Sequence, residues 1–296
     1  MSLSVTSKTF KLNTGASIPA VGLGTWRATE ADAAYKSVKT ALQNGYRHID
    51  TAAIYGNEEE VGRGIKDSGV PRSEIFVTTK LWNKNHKDVE GALNESLSKL
   101  GLDYVDLYLI HWPHSTDPVT GKDYTDWDYV DTYKELQKVY KASNKIKAIG
   151  VSNFTIAKIE RLLADKDVTV VPAANQVELH PLLPQDRLLK YLNEKGIYAE
   201  AYSPLGSNDS PLFKNGTVVS IAKKFDIEPA QVLISWAVQR GTVVLPKSVT
   251  ASRVISNLKT LVLPDEEFEQ LSKLSEKDGV VRTCDPGWHT YDDDLA

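Results

Sequence analysis

The chain has 296 residues, of which 41% are hydrophobic and 25% are charged, and its formal net charge is −4. This composition is typical of a soluble globular protein, and the length suits one large α/β domain. The weakly acidic balance argues against nucleic acid as the main partner, because phosphate binding needs a basic face, and no apolar run approaches the ~20 residues of a membrane helix.

The first predicted element is a β-hairpin. Residues 9–12 and 17–19 are strand-like and flank the turn residues Asn13-Thr14-Gly15. Eight further strand-like runs follow, at about residues 20–26, 46–50, 75–82, 104–112, 146–152, 173–179, 198–204 and 242–247. Helix-like stretches separate these runs, which predicts a parallel sheet. Eight strands favour closure into a barrel with the hairpin at its bottom. No linker interrupts the chain, so we expect a single domain over residues 1–296.

Two helices have clear boundaries in the sequence. From Asp88 to Leu100 an apolar face recurs at helical spacing, formed by Val89, Ala92, Leu93, Ser96, Leu97 and Leu100. Gly101 ends this helix, and Gly196 ends another from about Gln185 to Lys195. Asn57 precedes three glutamates, which predicts a helix N-cap directly after Tyr55.

Four residues at the ends of strand-like runs, or in the loop that follows one, form the predicted catalytic group. Asp50, Lys80 and His111 each close a run, and Tyr55 lies in the loop after the first of these runs. The carboxyl ends of the strands of a parallel barrel converge on one rim, which carries the chemistry. A tyrosine with a pKa of about 10 is a poor acid or base near neutrality. A neighbouring ammonium held by a carboxylate would stabilise its phenolate, which suits proton transfer to a carbonyl oxygen while hydride reaches the carbon.

Seven motifs, at residues 21–26, 45–52, 103–113, 150–154, 175–176, 201–206 and 245–248, occur in the order that they have in a known family. By these motifs the chain resembles the aldo-keto reductase superfamily. Residues 172–186 and 206–209 look most like the yeast NADP-dependent members, which are aldehyde or carbonyl reductases and glycerol dehydrogenases. The resemblance implies a (β/α)₈ TIM barrel with an N-terminal hairpin and a C-terminal loop that closes over the active site. It also implies NADPH-dependent reduction of aldehydes and ketones. In that reaction Tyr55 is the general acid, and Lys80 and Asp50 shift its pKa. His111 orients the carbonyl, and a share in the proton transfer is left open for it.

The cofactor expectation also follows from the resemblance. Gly22-Leu23-Gly24 lies within a strand and lacks the third glycine of a dinucleotide-binding motif, so a Rossmann site is not supported. The usual phosphate site of a barrel follows its seventh and eighth strands. By resemblance Lys247, Ser248 and Arg253 hold the 2′-phosphate of NADPH. The full set of expected NADPH/NADP⁺ contacts is Thr25, Trp26, Ser152, Asn153, Gln176, Tyr202, Ser203, Leu205, Ser207, Lys247, Ser248, Val249, Arg253 and Asn257.

Tryptophans near the strand ends form the predicted substrate pocket. Trp26, Trp82 and Trp112 lie on the rim beside the catalytic group, and by resemblance they line the pocket together with His111. Trp127 in a polar loop and Trp288 in the C-terminal stretch are further candidate walls. Such a pocket favours apolar or aromatic carbonyl compounds. No histidine pair has metal-ligand spacing, so no metal is expected.

The cellular setting follows from the start of the chain and from its cysteine content. Residues 1–8 lack the apolar centre of a signal peptide. Cys284 is the single cysteine, so it forms no disulfide within the chain, which fits a reducing compartment. We expect a cytoplasmic monomer or weak homodimer that binds a small-molecule carbonyl compound and neither nucleic acid nor membrane.

Two other hypotheses compete with the reductase. Lys80 at a strand end could be the nucleophile of a Schiff-base aldolase, although the adjacent Asp50 and Tyr55 are better explained by tuning of a phenol. The family also includes lens-structural and channel-associated members, which raises a binding or structural role. Trapping of substrate on Lys80 by borohydride, or turnover of NADPH with an aromatic aldehyde, would distinguish these hypotheses.

Overall fold

Eight parallel strands lie at the centre of the molecule, whose computed structural model describes residues 2–207 and 209–291. The described residues contain twelve strands in all: β1 (Ser4–Val5), β2 (Thr9–Lys11), β3 (Ser17–Pro19), β4 (Leu23–Gly24), β5 (His48–Asp50), β6 (Phe76–Leu81), β7 (Leu107–Ile110), β8 (Ile149–Ser152), β9 (Ala174–Glu178), β10 (Tyr198–Tyr202), β11 (Val243–Val244) and β12 (Lys259–Thr260). The central sheet contains β4 to β11 in chain order. All eight predicted barrel strands are confirmed, although each is shorter than its apolar run.

The sheet closes into a barrel where β4 meets β11. Parallel bridges join Val21 to Val244 and Gly24 to Lys247, and the Gly22 N–H donates to the Val244 carbonyl at 2.9 Å. Glycine is required at Gly22 because a Cβ there would lie 2.7 Å from His48 Nδ1 inside the barrel. The closed (β/α)₈ barrel predicted from the sequence is therefore confirmed.

Helices separate the strands and cover the outside of the barrel. They are α1 (Ala33–Gln43), α2 (Glu58–Asp67), α3 (Val89–Leu100), α4 (Tyr129–Ala142), α5 (Ile156–Ala164), α6 (Asp186–Lys195), α7 (Gly216–Phe225), α8 (Pro229–Gln239), α9 (Ala251–Asn257), α10 (Asp265–Ser272) and α11 (Leu274–Asp278). The buried face of α3 is the predicted one. Gly101 and Gly196 end α3 and α6 with φ of 64° and 70°, as expected for glycine after a helix.

The predicted capping role of Asn57 is only half right. Asn57 occupies the N-cap position of α2, but its side chain caps no helical N–H. Its amide instead donates to the Thr25 carbonyl at 3.0 Å, because the helix starts against the rim of the barrel. Asn57 therefore ties α2 to the end of β4.

The N-terminal hairpin lies under the barrel, as predicted. β2 and β3 pair antiparallel, and Leu12 and Ile18 pack into an interior cluster with Leu107, Leu109 and Val243. A pairing that the sequence did not predict joins β1 to β12. After α11, the described residues 279–291 form no helix or strand; the rest of the predicted C-terminal loop, residues 292–296, lies outside the described residues. Within the described ranges, no helix has the length and apolar character needed to span a membrane.

Candidate active site

Strand alternation directs the predicted catalytic side chains into the barrel. In β6, Phe76 belongs to the interior cluster, whereas Val77 and Leu81 belong to the cluster between barrel and helices. Lys80 shares the parity of Phe76 and therefore points inward. Its neighbour Thr79 points outward, and the Thr79 hydroxyl donates to Glu58 of α2 at 2.8 Å. This outward hydrogen bond fixes the register that places Lys80 in the interior.

The ammonium group of Lys80 joins the other members of the group. Lys80 Nζ lies 2.5 Å from Asp50 Oδ1, 3.0 Å from the Thr51 carbonyl oxygen and 3.3 Å from the Tyr55 hydroxyl oxygen. Lys80 is fully buried and Asp50 is 3% exposed, so water does not screen these interactions strongly. The structure thus brings together the ammonium, carboxylate and phenol that the sequence predicts.

The charges around Tyr55 fix its protonation state. Burial raises the pKa of Tyr55 above 10, Lys80 opposes that rise, and Asp50 adds to it. The sequence indicated only the lowering effect of Lys80, because the extent of burial depends on the fold. Burial also opposes the charge on Lys80, but Asp50 and Tyr55 outweigh it and raise the pKa of Lys80 to about 12. Tyr55 therefore carries its proton at neutral pH beside a permanent cation.

His111 completes the group from the end of β7. The backbone N–H of His111 donates to the Leu81 carbonyl at 3.1 Å. Its ring meets the Tyr55 ring edge-on with 5.8 Å between centroids. Burial, and then the charge of Lys80, lower the pKa of His111 well below its usual value. The imidazole is therefore neutral, which suits a hydrogen bond to a carbonyl oxygen better than delivery of a proton.

Four of the expected cofactor contacts, Ser152, Asn153, Gln176 and Tyr202, form one hydrogen-bonded chain across the rim. Ser152 Oγ donates to the Gln176 carbonyl at 2.7 Å. Asn153, with a left-handed φ of 63°, donates to the His111 carbonyl at 3.0 Å and accepts from the Tyr202 hydroxyl at 2.6 Å. Gln176 Nε2 donates to Asp50 Oδ2 at 2.8 Å. The amide groups next to the catalytic carboxylate are thus held in fixed orientations.

The remaining cofactor candidates lie on two loops and one helix. Ser203 and Ser207 adopt left-handed φ values of 46° and 64° in the loop after β10, which also contains the half-buried Leu205. On the neighbouring rim, Thr25 is buried and Trp26 is exposed. Lys247 and Ser248 are half-buried after β11, Val249 and Arg253 are exposed, and Asn257 is buried at the end of α9. These last five residues line one continuous stretch from strand end to helix.

The aromatic side chains gather around His111 as the sequence predicts. Trp82 meets the His111 ring edge-on at 5.3 Å, and Trp112 stacks beside it at 6.4 Å. Trp288 reaches this cluster from the C-terminal segment, with 5.1 Å between its ring centroid and that of Trp112. Trp26 lies on the same rim, with the Arg27 guanidinium 4.2 Å from its ring.

Trp127 does not join this cluster. Its indole N–H donates to Thr132 Oγ1 at 2.9 Å, and Lys87 lies 5.6 Å from its ring. None of its described contacts is with a tryptophan of the rim, because capping of α4 at Asp128 turns this loop towards the outer helix. The geometry gives no support to Trp127 as a pocket wall.

Three polar residues of this region, Glu178, Glu200 and Arg27, were not predicted from the sequence as part of the site. Glu178 ends β9 and Glu200 lies within β10, and both are fully buried. Arg27 follows Trp26 and acts electrostatically on Lys247. Strand parity could have indicated that Glu178 and Glu200 face inward with Gln176. In the part of the chain that the structure describes, no cluster of three His, Cys, Asp or Glu side chains could hold a metal ion.

Comparison with known proteins adds a family to this geometry. Residues 20–276 match the sequence model of the Aldo/keto reductase family. The chain is 52% identical to glycerol 2-dehydrogenase (NADP(+)) of Saccharomyces cerevisiae, over 97% of this chain and 96% of the relative. It is also 52% identical to aldehyde reductase YPR1 of the same yeast, over 96% of each chain. A solved aldo-keto reductase of Bombyx mori in complex with NADP superposes with a TM-score of 0.88, at 36% identity, covering 99% of this chain and 100% of that one.

Proposed function

The chain belongs to the Aldo/keto reductase family, and we propose that Tyr55 supplies the proton in the NADPH-dependent reduction of aldehydes and ketones that it catalyses. Membership of the family, the NADP-dependent yeast relatives and the NADP-bound structural neighbour establish the reaction and the cofactor. The assignment of roles rests on one observation above all. Lys80 Nζ contacts both Asp50 Oδ1 at 2.5 Å and the Tyr55 hydroxyl at 3.3 Å.

The proposed roles follow from protonation states. Tyr55, protonated at neutral pH, donates its proton to the carbonyl oxygen of the substrate. The phenolate that forms is stabilised by Lys80, whose charge Asp50 maintains. Neutral His111 donates a hydrogen bond to the same oxygen and so orients it. In the direction of alcohol oxidation the Tyr55 phenolate accepts the proton.

The rim fits the nicotinamide dinucleotide. When bound, NADPH supplies the hydride, and Ser152, Asn153 and Gln176 would hold its carboxamide while Tyr202 lies against the ring. The half-buried Lys247 has its pKa lowered by burial and then by Arg27. Lys247 and Arg27 are thus neighbouring cations, and such a pair suits a phosphate group. The buried Asn257 also has a side-chain oxygen with no hydrogen-bond partner among the described residues, which suits a donor such as the adenine amino group.

The substrate pocket is assigned to the aromatic cluster. Trp82 and Trp112 pack against His111 on the rim, Trp288 packs on Trp112, and Trp26 lies on the same rim. Such walls exclude water from the reacting carbonyl and favour aromatic or apolar aldehydes. A Schiff-base reaction is disfavoured, because a lysine with a pKa of about 12 is an ammonium and not a nucleophile.

The remaining expectations stay predictions. We propose that residues 1–296 form a single domain, and that the protein is a monomer or weak homodimer located in the cytoplasm. Size-exclusion chromatography with light scattering tests the oligomeric state, and fractionation of cells tests the location.

Initial rates test the proposed function. The purified protein is assayed with NADPH against aromatic aldehydes, α-keto esters, diketones and short aldehydes, and with NADP⁺ against glycerol. We expect oxidation of NADPH that depends on the carbonyl compound, and higher kcat/KM for aromatic aldehydes than for short ones. No turnover with any carbonyl compound would refute a catalytic role and favour the binding role.

A further inference from the structure

The buried carboxylate of Glu178 accepts hydrogen bonds from the C-terminal segment, residues 279–291. Glu178 Oε1 accepts hydrogen bonds from the Thr283 backbone N–H at 2.7 Å and from the Thr283 hydroxyl at 2.7 Å. Glu178 Oε2 accepts from the Cys284 backbone N–H at 2.8 Å. His180 Nε2 lies 2.8 Å from Oε1. Thr283 and Cys284, which lie 105 and 106 positions after Glu178 in the sequence, therefore contact it at the end of β9.

These hydrogen bonds matter because the segment has no secondary structure to hold it. Residues 279–291 form neither helix nor strand, so their backbone N–H groups need partners outside regular secondary structure. The Val281 N–H donates to the Leu182 carbonyl at 2.9 Å, and the Tyr291 hydroxyl donates to the Cys284 carbonyl at 3.0 Å. Glu178 supplies the charged acceptor that fixes the middle of the segment.

The fixed segment carries an aromatic wall of the pocket. Four residues beyond Cys284, Trp288 packs edge-on against Trp112 at 5.1 Å and stacks on His114 at 4.3 Å. His289 also contacts Trp112 at 5.1 Å. These contacts leave Trp112 only 6% exposed although it lies on the rim. The position of the Trp288 ring against Trp112 thus depends on where the segment is held.

We propose that Glu178 is a specificity-determining residue, because it holds residues 283–284 on the end of β9 and so places Trp288 as a wall of the substrate pocket. This inference rests on the proposed function of the aromatic cluster. Aromatic carbonyl compounds use the wall formed by Trp288, whereas short aldehydes react without it. Glu178 acts on the substrate through the segment and does not touch the reacting atoms.

The ionised carboxylate is what the site requires. Burial acts to raise the pKa of Glu178, but hydrogen bonds from His180 and Thr283 outweigh burial and lower it. An amide offers one acceptor oxygen in place of two. Its NH₂ group would face a backbone N–H of the segment, donor against donor. The substitution Glu178→Gln therefore preserves the shape of the side chain while it removes at least one hydrogen bond to the segment.

The first experiment compares two substrates in Glu178→Gln and in the wild-type enzyme. We expect KM for an aromatic aldehyde to rise about tenfold or more, the factor given by loss of one charge-assisted hydrogen bond. We expect KM for a short aldehyde to change less than about twofold, since a few contacts decide specificity. Hydrogen exchange should show that the Thr283 and Cys284 amides lose protection. Thr283→Val, which removes only the hydroxyl donor, should give a smaller effect in the same direction.

A double-mutant cycle separates this role from a general structural one. Trp288→Ala removes the wall directly, so Glu178→Gln should add little to the aromatic KM in the Trp288→Ala background. Glu194→Gln makes the same chemical change at an exposed position on α6, and it should leave both substrates unaffected. Additive effects, or equal losses for the two substrates, would overturn the specificity role.

The inference and the proposed function fail in different ways. A wild-type enzyme with no preference for aromatic aldehydes contradicts the proposed pocket. A wild-type preference that Glu178→Gln and Thr283→Val both leave intact contradicts the role of Glu178 alone, whether or not the two amides stay protected. If Glu178→Gln does not fold, Thr283→Val decides between these outcomes.

Discussion

Replacement of Glu200 by glutamine should stabilise the protein at mildly alkaline pH. Glu200 is fully buried, and its Oε2 accepts a long hydrogen bond from Gln176 Nε2 at 3.5 Å. Burial, and then the charge of Asp50, raise the pKa of Glu200 to about 8, while Lys80 and Gln176 act in the opposite direction. The group is therefore kept neutral in the folded protein at pH values where a free glutamate is ionised.

The sign and size of the effect follow from proton linkage. Between the ordinary value of 4.5 and about 8, the folded protein holds a proton that the unfolded chain has released. The free energy of unfolding therefore falls as pH rises through this window. At about 1.4 kcal/mol for each pH unit, the raised pKa of Glu200 costs up to about 5 kcal/mol by the alkaline end of the window. Glutamine has the same shape, cannot ionise and avoids this cost.

Urea unfolding followed by tryptophan fluorescence gives the required free energies. We expect Glu200→Gln and wild type to differ little near about pH 5, and the variant to gain several kcal/mol by about pH 8. Glu194→Gln, at an exposed position, should show no such trend. A difference between Glu200→Gln and wild type that stays flat across this range, or that favours wild type at the alkaline end, would refute the reasoning.

Two further predictions concern the catalytic and phosphate-binding groups. Lys80→Met should greatly slow reduction and shift the alkaline limb of the pH–rate profile to higher pH, because the Tyr55 phenol loses its neighbouring cation. It should also lower the free energy of unfolding by about 3–5 kcal/mol, because Asp50 remains buried without its cation. Adding Asp50→Asn should recover stability but not turnover, and an unchanged pH profile would remove Lys80 from the mechanism. Arg253→Ala should weaken NADPH binding about tenfold or more in fluorescence titrations and leave NADH binding nearly unchanged. The control variant Arg187→Ala on α6 should affect the binding of neither cofactor. Equal losses of affinity for both cofactors would contradict a contact between Arg253 and the 2′-phosphate.

The sequence predicted the elements that depend on local patterns. Apolar strand-like runs located the eight barrel strands, and helical apolar spacing located the buried face of α3. The pairing of β1 with β12 was missed, because two-residue strands carry no periodicity. The N-cap at Asn57 was placed correctly, but its side chain bonds to Thr25 in another element. Local spacing cannot indicate such a tertiary contact.

The site shows the same division between local and tertiary information. Asp50, Tyr55, Lys80 and His111 could be found from strand ends, and the structure brings their side chains together. The net direction of the Tyr55 pKa was not predictable, because it depends on burial. The contact between Glu178 and Thr283 joins segments that no sequence pattern relates, so it could not be predicted. The position of Trp127 was also not predictable, because it depends on how its loop packs at α4.

Single-turnover kinetics of Tyr55→Phe test the central claim most directly. NADPH-loaded enzyme is mixed with an aromatic aldehyde, and the oxidation of NADPH is followed in wild type, in Tyr55→Phe and in Tyr108→Phe. Tyr108 is a buried tyrosine on the outer face of β7, and its hydroxyl has no hydrogen-bond partner among the described residues. We predict that Tyr55→Phe slows the chemical step by roughly 10²–10⁴-fold while it binds NADPH as wild type does, and that Tyr108→Phe reacts normally. A Tyr55→Phe enzyme that keeps more than about a tenth of the wild-type rate would contradict Tyr55 as the proton donor.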